Sequence, residues 1–137
     1  MSAKLKEKEE KLQQTIAALI EESAKGTPII VEGKKDLQTL RNLGACGPIL
    51  TVKTGGKSFT EATRQIQKTH VLEVILLLDF DRRGKEGTAR LKQNLELAKI
   101  KPNMQYWQTL SALLRREVQC VESLNSYLDT LKRKTAL

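Results

Sequence analysis

The chain has 137 residues, which is enough for one domain with a sizeable core and too few for two. Its 24 Lys and Arg residues against 16 Asp and Glu give a formal charge of +8. This balance favours a polyanionic partner, with nucleic acid ahead of an acidic membrane surface. Aromatic residues make up only 4% of the chain, so we expect an aliphatic core.

Several features favour a cytoplasmic protein. The N-terminus is charged throughout, unlike a signal peptide, and no stretch approaches the ~20 apolar residues of a membrane-spanning helix. The two cysteines, Cys46 and Cys120, are far apart and lack the spacing of a metal site. We therefore expect two reduced thiols, both buried as small apolar side chains.

Helical and strand patterns alternate along the chain. Apolar residues at helical spacing predict helices over 3–25, 59–69, 86–99 and 109–132, with one more around Leu37, Leu40 and Leu43. Short apolar runs predict strands at 29–31, 48–52, 74–78 and 104–107. Such alternation is typical of parallel βαβ units. We therefore predict an α/β fold, a parallel sheet flanked by helices, with extra helices at both ends.

Carboxylates stand at the predicted ends of two strands. Glu32 follows the first strand, and Asp79 and Asp81 follow the third. Parallel strands deliver such residues to one edge of the sheet, where open α/β folds bind their ligands. Buried carboxylates without compensation are costly. Salt bridges to nearby Lys and Arg residues could compensate them, but Mg²⁺ is the better candidate because it prefers oxygen ligands.

Other common sites fit less well. The stretch from Asp79 begins like a calcium-binding EF-hand loop, but it carries Arg83 and Arg90 where oxygen ligands belong. Gly56-Lys57-Ser58 resembles the end of a Walker A loop but lacks the first glycine of that motif. The only histidine, His70, has no catalytic motif around it, so we expect it at the surface.

Together, the glycines and acids resemble the Toprim domain of topoisomerases, bacterial-type primases, OLD-type nucleases and the 5S ribosomal RNA maturases. The family pattern is a strand ending in Glu-Gly, a central glycine, and a strand ending in Asp-x-Asp. Here these are Glu32-Gly33, Thr54-Gly55-Gly56 and Asp79-Phe80-Asp81, with Gly84 following. The resemblance covers residues 27–107 and looks closest to small stand-alone archaeal and bacterial Toprim proteins, which are similar to the maturase domain.

The resemblance implies a Rossmann-like sheet of about four parallel strands in a single domain over 1–137. It also implies that Asp79 and Asp81 bind Mg²⁺, for which Mn²⁺ could substitute, with Glu32 as a third ligand or general acid/base. Phosphate or nucleic-acid contacts fall to nearby glycines and cations: Gly33, Lys34, Gly55, Gly56, Arg82, Arg83 and Gly84. Gly33 and Gly84 would let the backbone approach the metal or phosphate without a Cβ in the way.

The chain departs from the topoisomerase version of the motif in two places. Phe80 replaces a frequent proline, which should alter the turn but not the ligands. Arg83 stands where topoisomerases often carry an acid, so the site should be more basic. Topoisomerase activity is not expected, because neither Tyr106 nor Tyr127 lies in a nucleophile motif.

Three functional hypotheses follow. The first is a Mg²⁺-dependent nuclease acting on structured RNA or, less readily, DNA. The second is a non-catalytic module that binds nucleic acid or tethers a complex, with the terminal helices either docking protein partners or covering the core. The third is a phosphotransfer or nucleotide-binding switch, which lacks the lysine at a fifth strand that would complete its set.

Overall fold

Four short parallel strands form the centre of the structure, a computed structural model that describes residues 3–52, 59–114 and 117–136. The strands are β1 (Ile29–Val31), β2 (Ile49–Thr51), β3 (Glu73–Leu76) and β4 (Lys101–Asn103), in the spatial order β2-β1-β3-β4. Each neighbouring pair is parallel, and Ile29 of β1 lies opposite Ile49 on one side and Ile75 on the other. The predicted parallel α/β sheet is confirmed.

The described residues also form six α-helices and a short 3-10 helix around this sheet. The α-helices are α1 (Ala3–Ala24), α2 (Lys34–Leu43), α3 (Phe59–Lys68), α4 (Arg82–Leu97), α5 (Gln105–Leu114) and α6 (Leu124–Thr135). The 3-10 helix, Val121–Ser123, immediately precedes α6.

The two central strands, β1 and β3, are buried on both faces because their alternate residues enter two different apolar clusters. Ile29 and Ile75 belong to the cluster that includes residues of α1, α2, α5 and α6. Ile30 and Leu76 belong to the cluster formed with α3 and α4. A parallel sheet covered on both faces needs apolar residues at consecutive positions. The short uninterrupted apolar runs in the sequence therefore have a direct structural reason.

The strand order creates a crevice between β1 and β3. The chain leaves β1 through α2 towards β2, and it leaves β3 through α4 towards β4 on the other side of the sheet. It therefore departs in opposite directions from two adjacent strands. In open α/β sheets, ligands bind at such a point, beyond the carboxyl ends of the strands. The residues that follow β1 and β3 consequently share one crevice.

The N-terminal helix is present and covers part of the core. Leu12 and Leu19 are buried in the same cluster as the apolar residues of α5 and α6. Lys8 Nζ lies 2.6 Å from the Glu117 carboxylate, which also accepts a 2.6 Å hydrogen bond from the Tyr127 hydroxyl. The apolar faces of the terminal helices are thus used inside the structure, and docking of protein partners on these helices stays a prediction.

The fourth strand lies earlier than the predicted range of 104–107. It spans Lys101–Asn103 at the edge of the sheet. An edge strand tolerates Pro102 because one of its sides has no partner strand. Asn103 Oδ1 then accepts the backbone N–H of Gln105 at 3.0 Å, where α5 begins. The predicted strand residues 105–107 are therefore helical.

The C-terminal helix predicted over 109–132 is divided. α5 ends at Leu114, residues 117–120 are not helical, and α6 begins only at Leu124. Val118 and Val121 are buried in the same apolar cluster as the two helices. Their spacing continues the helical pattern through the break, which is why periodicity predicted one helix.

The prediction that both cysteines are buried was wrong. Cys46 is exposed and Cys120 is partly exposed, and both are free thiols. Ala45 occupies the buried position next to Cys46. His70 is exposed, as the sequence predicts. Within 3–52, 59–114 and 117–136, no helix is both long and apolar enough to cross a membrane.

Replacing Leu12 by Ala should lower the free energy of unfolding by about 2–5 kcal/mol, because the lost side chain is fully buried and leaves a cavity. The matched control is Leu97→Ala, which removes a leucine that is 84% exposed and should change stability by less than about 0.5 kcal/mol. Urea denaturation followed by circular dichroism measures both variants. Two equally small effects would show that α1 lies outside the cooperative core.

Candidate metal centre

Three carboxylates meet in the crevice between β1 and β3. Glu32 follows β1 directly, while Asp79 and Asp81 lie in the loop after β3. Each side chain offers an oxygen within 4.8 Å of the oxygens offered by the other two. In the part of the chain that the structure describes, this is the only group of three or more Asp, Glu, His or Cys side chains with such spacing.

Glu32 is held by the loop that carries the two aspartates. It is only 8% exposed, and its Oε2 accepts a 3.1 Å hydrogen bond from the backbone N–H of Asp79. This bond joins the ends of two adjacent strands, so the register of β1 and β3 determines where Glu32 lies relative to the aspartates.

Asp81 forms the N-cap of α4. Its backbone is extended, with φ −79° and ψ −179°, and its Oδ1 accepts a 2.8 Å hydrogen bond from the N–H of Gly84. An aspartate at this position satisfies one of the N–H groups that the first helical turn leaves without a partner. The helix therefore begins at Arg82, ahead of the start predicted at residue 86.

Gly84 is required by a close contact, whereas Gly33 is not. A Cβ on Gly84 would lie 1.8 Å from the carbonyl oxygen of Asp79, so no side chain fits. The first turn of α4 thus packs directly against the backbone of Asp79. Gly33 has a φ of −144°, which any residue can adopt, and its Cβ would meet nothing closer than Asp36 Oδ2 at 4.0 Å.

Asp79 is the most unusual of the three acids. Its Oδ1 is buried and has no hydrogen-bond partner among the described atoms. Burial raises the pKa of Asp79 to about 8, and the hydrogen bond to Glu32 and repulsion from Glu32, Asp36 and Asp81 add to this effect. The charges that raise this pKa, on Glu32, Asp36 and Asp81, are all negative.

A divalent cation fits this set of donors. Three carboxylates offer only oxygen atoms, which are the preferred ligands of hard cations. A cation would favour the ionised form of Asp79 and give its buried Oδ1 a partner. Among the described residues no salt bridge compensates Asp79 in place of a cation, and the nearby Arg82 pairs instead with Glu86, with Nε and Oε1 3.3 Å apart. The cluster could therefore hold a metal ion.

The cations predicted to contact phosphate are exposed. Lys34 lies at the start of α2, and Arg82 and Arg83 lie at the start of α4. Their side chains are thus exposed to solvent at the starts of the two helices that follow the acids. Gly55 and Gly56, also predicted to contact nucleic acid, lie outside the described residues.

Residues that the sequence patterns did not single out support the loop after β3. The indole N–H of Trp107 donates to the carbonyl oxygens of Leu78 at 2.9 Å and Asp79 at 3.3 Å. The backbone N–H of Phe80 donates to the carbonyl oxygen of Gln119 at 2.7 Å. The presence of a single tryptophan was a weak signal for the first contact. The second contact is between main-chain atoms and leaves no sequence signal.

Without a divalent ion, stability should fall as the pH rises from about 4 towards 8. The pKa of Asp79 is raised to about 8 in the folded chain from an ordinary value of 3.8, so the folded state holds a proton that the unfolded state releases. Asp79→Asn should remove this slope of the free energy of unfolding against pH. At pH 8 the variant should be more stable than the wild type by about 1 kcal/mol, which is the lower end of the cost of an unsatisfied buried group. Denaturation in EDTA across this pH range measures the effect.

The control for this measurement is Asp129→Asn, which changes an exposed aspartate of α6 and should leave the wild-type slope intact. An unchanged slope in Asp79→Asn would mean that another group holds the proton.

Comparison with known proteins identifies the family. The Toprim domain matches residues 27–109. A UPF0292 protein of Methanosarcina acetivorans is 33% identical over 129 residues, which cover 93% of this chain and 87% of that protein. A UPF0292 protein of Methanocaldococcus jannaschii is 36% identical over 121 residues, covering 88% and 91% of the two chains. A solved structure of a protein from Aquifex aeolicus has the same fold, with a TM-score of 0.70. The match covers 82% of this chain and 96% of that one at 20% sequence identity. The chain therefore belongs to the Toprim domain family, with small archaeal UPF0292 proteins as its relatives.

Proposed function

We propose that this protein is a cytoplasmic Mg²⁺-dependent nuclease that cleaves structured RNA in preference to DNA. The observation that carries the proposal is the convergence of Glu32, Asp79 and Asp81 around a buried carboxylate oxygen without a hydrogen-bond donor among the described atoms. Toprim domains bind divalent metals and generally take part in nucleic-acid interactions. The preference for RNA rests on the resemblance to the 5S ribosomal RNA maturase domain, which stays a prediction.

The acids would divide the chemistry between them. Asp79 and Asp81 would hold Mg²⁺, which when bound neutralises charge on the phosphoryl oxygens during phosphodiester transfer. Glu32 would be a third ligand or would move a proton at the attacking or leaving oxygen. Its hydrogen bond from the Asp79 N–H fixes one of its carboxylate oxygens, so the side chain is already oriented towards the aspartates.

The exposed cations would contact the nucleic-acid backbone. Lys34 and Arg83 are exposed, and the Arg82 side chain is 93% exposed in its contact with Glu86. An exposed ion pair of this kind contributes little to stability, so Arg82 could exchange Glu86 for a phosphate at small cost. Arg90 lies farther along α4, with its guanidinium 5.6 Å from the centre of the Phe59 ring. These residues would extend the contact surface from the acids along the helix.

The glycines have a more limited part in this proposal. The backbone N–H of Gly33 donates to Asp36 and that of Gly84 donates to Asp81. Their N–H groups are therefore engaged in holding carboxylates, and Gly84 supplies close packing rather than a phosphate donor.

Mn²⁺, used as a probe for Mg²⁺, should bind the wild-type protein, and Asp79→Ala and Asp81→Ala should each weaken binding at least about tenfold, because each removes a charged oxygen ligand. Isothermal titration calorimetry at pH 8 measures the affinity. Asp129→Ala is the matched control, since it removes an exposed aspartate of α6 and should bind Mn²⁺ like the wild type. Equal affinities in all four proteins would place any metal elsewhere.

Cleavage of structured RNA should require Mg²⁺, and Glu32→Gln should lower its rate about 10²-fold or more, the usual contribution of general acid/base catalysis. The assay compares end-labelled RNA hairpins with DNA hairpins of the same sequence, with Mg²⁺ or EDTA. Asp129→Ala should retain wild-type activity. Activity that survives Glu32→Gln and Asp79→Ala would show a contaminating nuclease.

Absence of cleavage together with salt-dependent binding would favour the non-catalytic module instead. In that case, the logarithm of the RNA affinity should fall steeply and linearly with the logarithm of the salt concentration.

A further inference from the structure

A segment near the C-terminus crosses the edge of the sheet where the three acids lie. Residues 119–122 connect the end of α5 to α6 and include the start of the 3-10 helix. They belong to the part of the chain that the sequence predicted as helix, and no metal ligand was expected near them. Their main chain is hydrogen-bonded to the first turn of α2, which follows β1, and to the loop after β3.

The contact with the loop after β3 is made by the residue between the two aspartates. The backbone N–H of Phe80 donates to the carbonyl oxygen of Gln119 at 2.7 Å. The Phe80 side chain is only 4% exposed and lies in the apolar cluster that also contains Val118 and Val121. Both the main chain and the side chain of Phe80 therefore bind this loop to the C-terminal segment.

The contact with the loop after β1 is made through Asp36. One carboxylate oxygen of Asp36 accepts the N–H of Gly33 at 3.1 Å, and the other accepts the N–H of Glu122 at 3.0 Å. The hydroxyl of Thr39, on the same helix, donates to the carbonyl oxygen of Glu122 at 3.3 Å. Asp36 thus connects the residue next to Glu32 with a segment 86 residues away.

A local helix cap would need only one of these oxygens. Asp36 lies in the first turn of α2, and the bond to Gly33 is the usual one for that position. The second oxygen serves a distant main-chain group instead. Because Asp36 is only 6% exposed and both its oxygens accept backbone N–H groups, it is held in place rather than available as a metal ligand.

These bonds connect the C-terminal segment and the two acid-bearing loops in one closed ring that includes Glu32 and Asp79. The backbone N–H groups of Glu122 and Gly33 donate to the Asp36 carboxylate. The N–H of Asp79 donates to the Glu32 carboxylate, and the N–H of Phe80 donates to the Gln119 carbonyl oxygen. We propose that Asp36 is a positioning residue for the metal centre: through it, the segment 119–122 holds the loops after β1 and β3 at the spacing that metal binding needs. This inference rests on the proposed metal site.

Asp36→Asn tests the inference, because an amide offers one accepting oxygen where the ring needs two. Tb³⁺ serves as the probe, since it is a hard cation that prefers oxygen ligands and luminesces when excited through a nearby indole. The single tryptophan, Trp107, donates a hydrogen bond to the Asp79 carbonyl oxygen, so sensitised emission reports binding beside Asp79. We expect Asp36→Asn to weaken Tb³⁺ binding about tenfold or more, the usual effect of losing a residue that orients metal ligands.

Emission lifetimes in H₂O and D₂O count the water molecules on the bound ion. Asp36→Asn should raise this number, because misplaced carboxylates leave positions to water. Leu131→Ala is the matched control: it destabilises α6 from its buried side without touching the ring, and it should keep the wild-type affinity and water count. A variant that loses stability like the control but binds Tb³⁺ like the wild type would overturn the inference.

The two proposals fail in distinguishable ways. If the wild type shows no sensitised emission, or if Asp81→Asn leaves it unchanged, the metal site itself is wrong and this inference falls with it. If the wild type binds, Asp81→Asn does not, and Asp36→Asn binds normally, only the positioning role is wrong.

Hydrogen exchange in the wild type gives a test that needs no variant to fold. If the segment 119–122 positions the ligands, metal binding must in turn stabilise the segment, because coupling between two sites is reciprocal. Saturating Mg²⁺ should therefore slow amide exchange in a peptide covering 119–122 at least several-fold, while a peptide from the outer turns of α6 changes little. Slower exchange at the acid-bearing loops alone would overturn the inference.

Discussion

The arrangement around the candidate metal centre depends on one electrostatic constraint, the burial of the Asp79 carboxylate among other acids. A charged oxygen removed from water needs a compensating partner, and the acids Glu32, Asp36 and Asp81 instead raise the pKa of Asp79. The surrounding backbone nevertheless fixes Asp79 from several sides. The indole N–H of Trp107 donates to the Asp79 carbonyl oxygen, and Gly84 packs against that same atom. The backbone N–H of Asp79 donates to Glu32. The chain therefore devotes much of its local structure to keeping an unfavourable group in place, which is typical of functional sites.

The sheet explains how so few residues can build such a centre. The acids come from two adjacent parallel strands whose connections run in opposite directions, so their carboxyl ends open into one crevice. Uninterrupted apolar runs such as 74–78 fix these strands between two layers of helices. Only the residues just after each run are left to carry chemistry.

Much of this arrangement could be predicted from the sequence, and the limits have physical reasons. The parallel sheet followed from apolar runs alternating with helical patterns, and the proximity of Glu32 to Asp79 followed from the geometry of parallel strands. The break before α6 could not be predicted, because Val118 and Val121 preserve the helical spacing while packing as a non-helical segment. The bond from Asp36 to Glu122 spans 86 residues and involves a backbone N–H, to which residue patterns are insensitive.

The residue between the two aspartates has a consequence for how proteins of this kind can diverge. Proline has no backbone N–H, so a chain with proline at position 80 could not make the bond that Phe80 gives to Gln119. The N–H donor at position 80 and the C-terminal segment that rests beside the acids therefore depend on each other. Homologues that carry proline at the equivalent position must anchor any such extension by a different atom.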